Sequence, residues 1–217
     1  MPLPNCFCWT RFGTEAGQAA HQILLRKEQE RAANNGVFFW GIGNAIGPSM
    51  LELLRHTGSP EVIFSPIRSA PRRIDVRPSS IAAWTRARTL DGTEFALPKF
   101  SLITSRFDPL NPQSRHYALV CYKDSQITLG AEKEKIQFGQ LRNLVTGRPI
   151  GASQVTAVVH RSPAGFPKAL YEISFRAQLA PPYFIYLKAP APLATSDVCS
   201  TWDQVVGHTW AGRFVGA

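Results

Sequence analysis

Gly41, Gly43 and Gly47 follow the aromatic run Val37-Phe38-Phe39-Trp40 and precede Pro48-Ser49. A glycine loop between a strand and a helix can bring backbone amides and a helix N-terminus up to a phosphate. Gly41, Gly43 and Asn44 are therefore candidate phosphate contacts. The spacing is one residue longer than Gly-x-Gly-x-x-Gly, and no Gly-Lys-Ser/Thr follows. A nucleotide fold of the doubly wound or P-loop type is thus disfavoured, and a tight turn that uses glycine for positive φ competes with the phosphate reading.

Charge supplies a second lead. The chain has 24 Lys and Arg against 15 Asp and Glu, a net charge of +9. Such an excess favours anionic partners. Between Val62 and Leu90 lie Arg68, Arg72, Arg73, Arg77, Arg86 and Arg88, opposed only by Asp75 and with no lysine among them. Arginine's planar fork suits bidentate phosphate contact and stacking on bases. Arg68, Arg72, Arg73 and Arg77, with Arg106 further on, are the candidate phosphate-contacting side chains.

Aromatic residues accompany that charge: Trp9, Phe12, Phe38, Phe39, Trp40 and Trp84. Stacking a base on an aromatic ring is worth about 1–3 kcal/mol and tolerates any base. Most rings in strands fill the core instead. Trp40 is the leading candidate because it abuts the glycine loop. Polar residues at expected strand ends, namely Ser65, Thr104, Ser105, His116 and Tyr117, supply hydrogen-bonding groups if they converge at one rim.

Other chemistries find less support. No Gly-x-Ser-x-Gly occurs, and none of Cys6, Cys8, Cys121 and Cys199 sits in a motif that pairs it with histidine. Cys6 and Cys8 would share one strand face and could join His116 or Cys121 at a metal, but two small residues packed in a core strand is the stronger reading. Asp75, Asp91 and Glu94 are scattered, and Glu15, His21 and Glu28 read as a solvated helix face. No catalytic residue, metal or cofactor is expected.

These residues need elements to hold them. The sequence predicts a strand over Asn5–Phe12 and a helix from Glu15, capped by Thr14, to Asn34-Asn35-Gly36. On that helix Ala16, Ala20, Ile23 and Leu24 form the apolar stripe, with Arg26, Lys27, Glu28, Glu30 and Arg31 in water. Strands follow at Val37–Trp40, Glu61–Ile67, Ile81–Arg88, Phe100–Thr104 and His116–Tyr122, and a short helix at Met50–His56. Asp91-Gly92 marks a hairpin into Glu94–Leu97. Ile127–Leu129 reads as a short strand and Ile136–Val145 as a helix. Strands are expected again at Gln154–His160, Leu170–Arg176 and Tyr183–Lys188, then a stiff Ala189–Pro192 connector and a helical turn near Trp202–Val206. Two early helices followed by many strands give an α+β fold, a curved mixed sheet or partial β-barrel with the helices packed on it. The charge run Glu132–Lys135 suggests a core over 1–130 and a strand-rich extension over 131–217, packed on the same unit.

That element order, with tryptophan-bearing strands at Cys6–Phe12 and Val37–Trp40, resembles the PUA-like superfamily, especially its EVE and YTH branches, over about residues 5 to 130. The resemblance implies a small curved-sheet domain that reads a modified base in an aromatic pocket, here near Trp9, Trp40 and the strand at Phe64-Ser65. With Trp84, these are the expected base contacts. The function expected is a nucleic-acid-binding module, for DNA or RNA, that reads a modified or flipped base. The alternative is an enzyme acting on a nucleotide or phosphorylated small molecule through Gly41–Gly47, and a third is a protein-interaction subunit docking an acidic partner. A partner nuclease or other effector fits the first reading. With no apolar run near 20 residues and no signal-like N-terminus, no membrane partner is expected and the cytoplasm is the expected location.

Overall fold

The structure is a computed structural model that describes residues 3–13, 19–43, 46–67, 80–98, 102–105, 116–128, 130, 132–163 and 170–191. These residues form twelve strands and two α-helices: β1 (Cys6–Phe12), α1 (Ala20–Ala33), β2 (Val37–Ile42), α2 (Gly47–His56), β3 (Glu61–Pro66), β4 (Ser80–Arg88), β5 (Glu94–Ala96), β6 (Leu102–Ser105), β7 (His116–Tyr122), β8 (Lys135–Gln137), β9 (Leu141–Asn143), β10 (Thr156–Arg161), β11 (Leu170–Glu172) and β12 (Phe175–Ala191). Ten of the strands make one mixed sheet. Its main path runs β2-β7-β12-β3-β1-β10-β9, with β4 hydrogen-bonded to β12 and carrying β5 and β6. The remaining two, β11 and β8, form a separate ribbon. β6 comes alongside β2 without pairing to it among the described residues, so the sheet curves but does not close. The fold is α+β.

β12 is the seam. It is 17 residues long and lies antiparallel to β7, to β3 over Phe175–Gln178 and to β4 over Tyr186–Ala191. One strand from beyond residue 130, β12, therefore sits inside the sheet between strands from before it, and β10 and β9 extend the sheet past β1. The register of β12 on β7 shifts between Leu179 and Phe184, where Tyr183 takes φ 64°. A bulky residue at positive φ is uncommon and marks a backbone held by its surroundings.

Alternation along the strands sends successive side chains to opposite faces, and both faces are covered. On one face Phe12, Phe38, Trp40, Phe64, Leu119 and Phe175 pack with Ile23 and Leu24 of α1 and Met50 and Leu53 of α2. Elsewhere Phe7, Trp9, Ile63 and Val159 pack under Ile136 and Phe138, and Val37, Phe39, Val120 and Ile185 form a third cluster with Trp84. β7 is buried from His116 to Cys121, as a strand covered on both faces must be.

Helix α1 ends at Asn34-Asn35-Gly36, with Asn35 at φ 51° and Gly36 at φ 95°. A Cβ on Gly36 would lie 2.6 Å from the Tyr122 ring, so this turn needs glycine twice over. Gly47 serves contact instead: a Cβ there would meet the Leu90 side chain at 2.7 Å, and its absence lets α2 seat against the β4–β5 turn.

Several expectations are corrected. The charged face assigned to water on α1 is largely inside: Arg26, Lys27 and Glu30 are buried, and Leu25 is exposed. Ile136–Val145 is not a helix but β8, one 3-10 turn at Phe138–Gln140 and β9. Ile136 pairs with Tyr171, and Asn143 Oδ1 accepts the amides of Val145 and Thr146 in a turn, so the chain's hydrogen bonds go elsewhere. Ile127 is not in a strand, because its amide donates to Glu28 Oε2 at 2.8 Å. The stretch Leu170–Arg176 is broken at Ile173-Ser174, and Ala189–Ala191 continue β12 rather than form a connector. Thr14, Glu15, Leu129 and the turn at Trp202–Val206 lie outside the described residues.

Candidate functional site

The five expected base contacts do not come together. Trp40 and Phe64 are buried on the helix-covered face, rings 4.7 Å apart and edge to face, with Phe64 stacked on Phe175 at 4.2 Å. Trp9 lies in a different cluster, where its Nε1–H donates to Ser65 Oγ at 3.0 Å. Phe64 and Ser65 are consecutive in β3 and so point to opposite faces. Trp84 packs in the third cluster, 4.9 Å from His116. Each of these three tryptophans fills a separate core, because the largest apolar side chains are the most effective fillers. A cage built of Trp9, Trp40 and Trp84 is not formed.

The polar residues expected at one rim also separate. Ser65 and Tyr117 belong to opposite faces, and Thr104 and Ser105 lie in β6 against β4. Of the expected phosphate contacts, Gly41 pairs with Ala118 inside the β2–β7 ladder, one residue before its last pair, and Gly43 is exposed just past the end of β2. Asn44, Arg68, Arg72, Arg73, Arg77 and Arg106 lie outside the described residues.

What the strands do assemble is a lateral row. Ile42 is opposite Tyr117, Tyr117 opposite Tyr186, Tyr186 opposite Arg88, and Arg88 opposite Glu94. Directly opposed residues share a face, so this row crosses β2, β7, β12, β4 and β5, roughly 19 Å at about 4.8 Å per strand. Tyr117 is buried, stacked on Phe184 at 5.6 Å and edge to face with Tyr186 at 5.4 Å. Tyr186 and Arg88 remain partly in solvent. The Arg88 guanidinium carbon lies 5.0 Å from the Tyr186 ring centroid. Its Nε is buried and finds no acceptor among the described residues. Next to the row, Lys188 pairs with Glu94 and holds that carboxylate below its usual range, while Arg86 is exposed. Half-buried Tyr183 packs against the same core, and desolvation raises its phenol. The row ends at Ile42, between Gly41 and Gly43.

A second polar group sits where α1 meets β2. Lys27 Nζ donates to Glu30 Oε2 at 2.5 Å and to the Phe39 carbonyl, and Glu30 Oε1 accepts the Phe39 amide at 3.4 Å. β2 ends the sheet path, so these two side chains occupy the backbone positions that a further strand would take. Burial lowers Lys27 to about 8 against the pull of Glu30 and raises Glu30 to about 7 against the Lys27 charge. This pair is architectural in its contacts. Sequence reasoning missed it, and missed Tyr186 as well.

Cys8 and Cys121 are buried in the helix-side core, and burial pushes both thiols well above their usual range. They are poor nucleophiles. Among the described residues no three His, Cys, Asp or Glu side chains gather as metal ligands, and His116 sits with Trp84 rather than with the cysteines. No helix among the described residues is long and apolar enough to cross a membrane. No family model, curated protein or solved structure matches the chain.

Proposed function

We propose that this chain is a nucleic-acid-binding module, and that the Ile42–Tyr117–Tyr186–Arg88 row is part of its contact surface. The observation that carries the reading is Arg88: stacked on Tyr186, with a buried Nε lacking an acceptor among the described residues, on a chain of net charge +9. Stacking orients a guanidinium without neutralising it and leaves its donors for phosphate or a base edge. The partly exposed Tyr186 ring offers a base a flat partner, and Gly41 and Gly43 let a backbone approach at the end of the row. Arg68, Arg72, Arg73, Arg77 and Arg106 add phosphate contacts in this reading. The modified or flipped base of a PUA-like reader would be held at the tyrosine row, in place of the tryptophan cage. A nuclease or other effector would act on what this module holds, in the cytoplasm.

The test is a titration against DNA and RNA duplexes and single strands, plain and base-modified, at two salt concentrations. Affinity should fall as salt rises, because each phosphate contact releases counterions. Absence of binding at low salt would discard the proposal. Stabilisation by nucleotides without any oligonucleotide binding would favour the enzyme alternative through Gly41–Gly47.

A further inference from the structure

On β1, Arg11 stands directly beside Ser65 of the parallel neighbour β3. The two side chains share the face opposite the helices, with Trp9 two residues before Arg11. The Arg11 guanidinium lies over two rings, 4.9 Å from the centroid of Tyr171 and 5.8 Å from that of Trp9. Nη1 donates to the Ala152 carbonyl at 2.9 Å. Nε is buried and meets no acceptor, and no carboxylate pairs with Arg11 among the described residues. Ser65 is wholly buried and accepts the Trp9 indole N–H. A hydroxyl that accepts in this way still has its own proton to donate.

A buried guanidinium donor without an acceptor is costly unless an oxygen meets it. Here the charge is not cancelled, the ring plane fixes its orientation, and a second donor stands on the adjacent strand. We propose that Arg11 and Ser65 form an oxyanion site that takes one phosphate group, on the sheet face opposite the Tyr186–Arg88 row. The fork of Arg11 supplies Nε–H and Nη2–H, Ser65 supplies O–H, and Trp9 and Tyr171 wall the site. The phosphate could be free, on a mononucleotide, or part of a nucleic-acid backbone. The site does not depend on the Arg88 row, so either can fail alone.

Trp9 makes the site observable. The whole chain is titrated with inorganic phosphate, a nucleoside 5′-monophosphate, and an oligonucleotide without a terminal phosphate, following tryptophan emission and, independently, heat. The expected result is a saturable change in emission with at least one probe, and the tightest binder identifies the source. Arg11→Lys keeps the charge but loses the fork, and should weaken that binding about tenfold or more. Arg11→Ala serves if it retains the wild-type circular dichroism; otherwise Arg11→Lys alone decides. A response that is absent with all three probes, or equal in wild type and Arg11→Lys, overturns the site. It does so even if oligonucleotides still bind through Arg88.

Discussion

Two ways of holding a cation contrast in this molecule. Lys27 is enclosed between α1 and β2, with Glu30 and the Phe39 carbonyl as partners. Arg11 and Arg88 are half-buried and lie on tyrosine rings, each with a buried Nε that has no acceptor among the described residues. The difference separates fastening from offering. A buried charge with its hydrogen bonds closed holds two elements together, and its removal should damage stability. A stacked charge with donors left over contributes little to the fold, and its removal should damage binding.

The largest effect that would break this contrast is expected at Glu30. Glu30→Gln leaves Lys27 buried without a counter-charge and should cost about 3–5 kcal/mol in urea unfolding. Lys27→Met with Glu30→Gln together should recover most of that, to within about 1–2 kcal/mol of wild type, because the side-chain amide introduced at position 30 can still serve the Phe39 backbone. An unchanged Glu30→Gln would mean that the pair fastens nothing.

The pH profile sharpens the same point. Glu30 is raised to about 7, so its contribution to stability is present at low pH and is lost as pH rises through about 7. Lys27 is lowered to about 8, so its contribution is present at high pH and is lost as pH falls through about 8. Relative to the double variant, wild type should be least stable between these two values, measured as the difference of unfolding free energies across the range.

For the stacked cations the order reverses. Tyr186→Leu keeps an apolar filler but removes the ring, and should cost about 1–3 kcal/mol of oligonucleotide affinity. Arg88→Gln should leave unfolding within about 0.5 kcal/mol while making the salt dependence shallower by about one counterion. If Arg88→Gln instead melts the protein without touching affinity, the contrast fails. The smallest effect belongs to Trp9→Phe, where losing the indole donor to Ser65 should cost about 1 kcal/mol of stability.

The sequence made some of this legible and hid the rest for physical reasons. The strands β1, β2, β3 and β7, helix α2 and the β4–β5 hairpin announce themselves through local signals: apolar runs, Asn-Asn-Gly, Asp-Gly and Pro-Ser. The curved α+β sheet followed from their order. The buried face of α1 did not, because Lys27–Glu30 and Glu28–Arg31 have the same three-residue spacing. One pair is inside and the other near the surface, and only tertiary packing distinguishes them. The Tyr186–Arg88 row depends on β12 choosing both β7 and β4 as neighbours, a long-range decision with no local mark. Trp9, Trp40 and Trp84 misled because the sequence puts them near the arginines, whereas folding distributes them among three cores.

The position of β12 has a consequence for the order of manufacture. Without it, the hydrogen bonds of the main sheet fall into three ribbons: β2 with β7, β3 with β1, β10 and β9, and β4 with β5 and β6. A ribosome completes all three before Phe175 is added. Contacts between residues so far apart in the chain carry a large loop-closure entropy and form late. The nascent chain thus holds three finished pieces with unpaired edges, and the last of the described strands is the one that turns them into a single sheet.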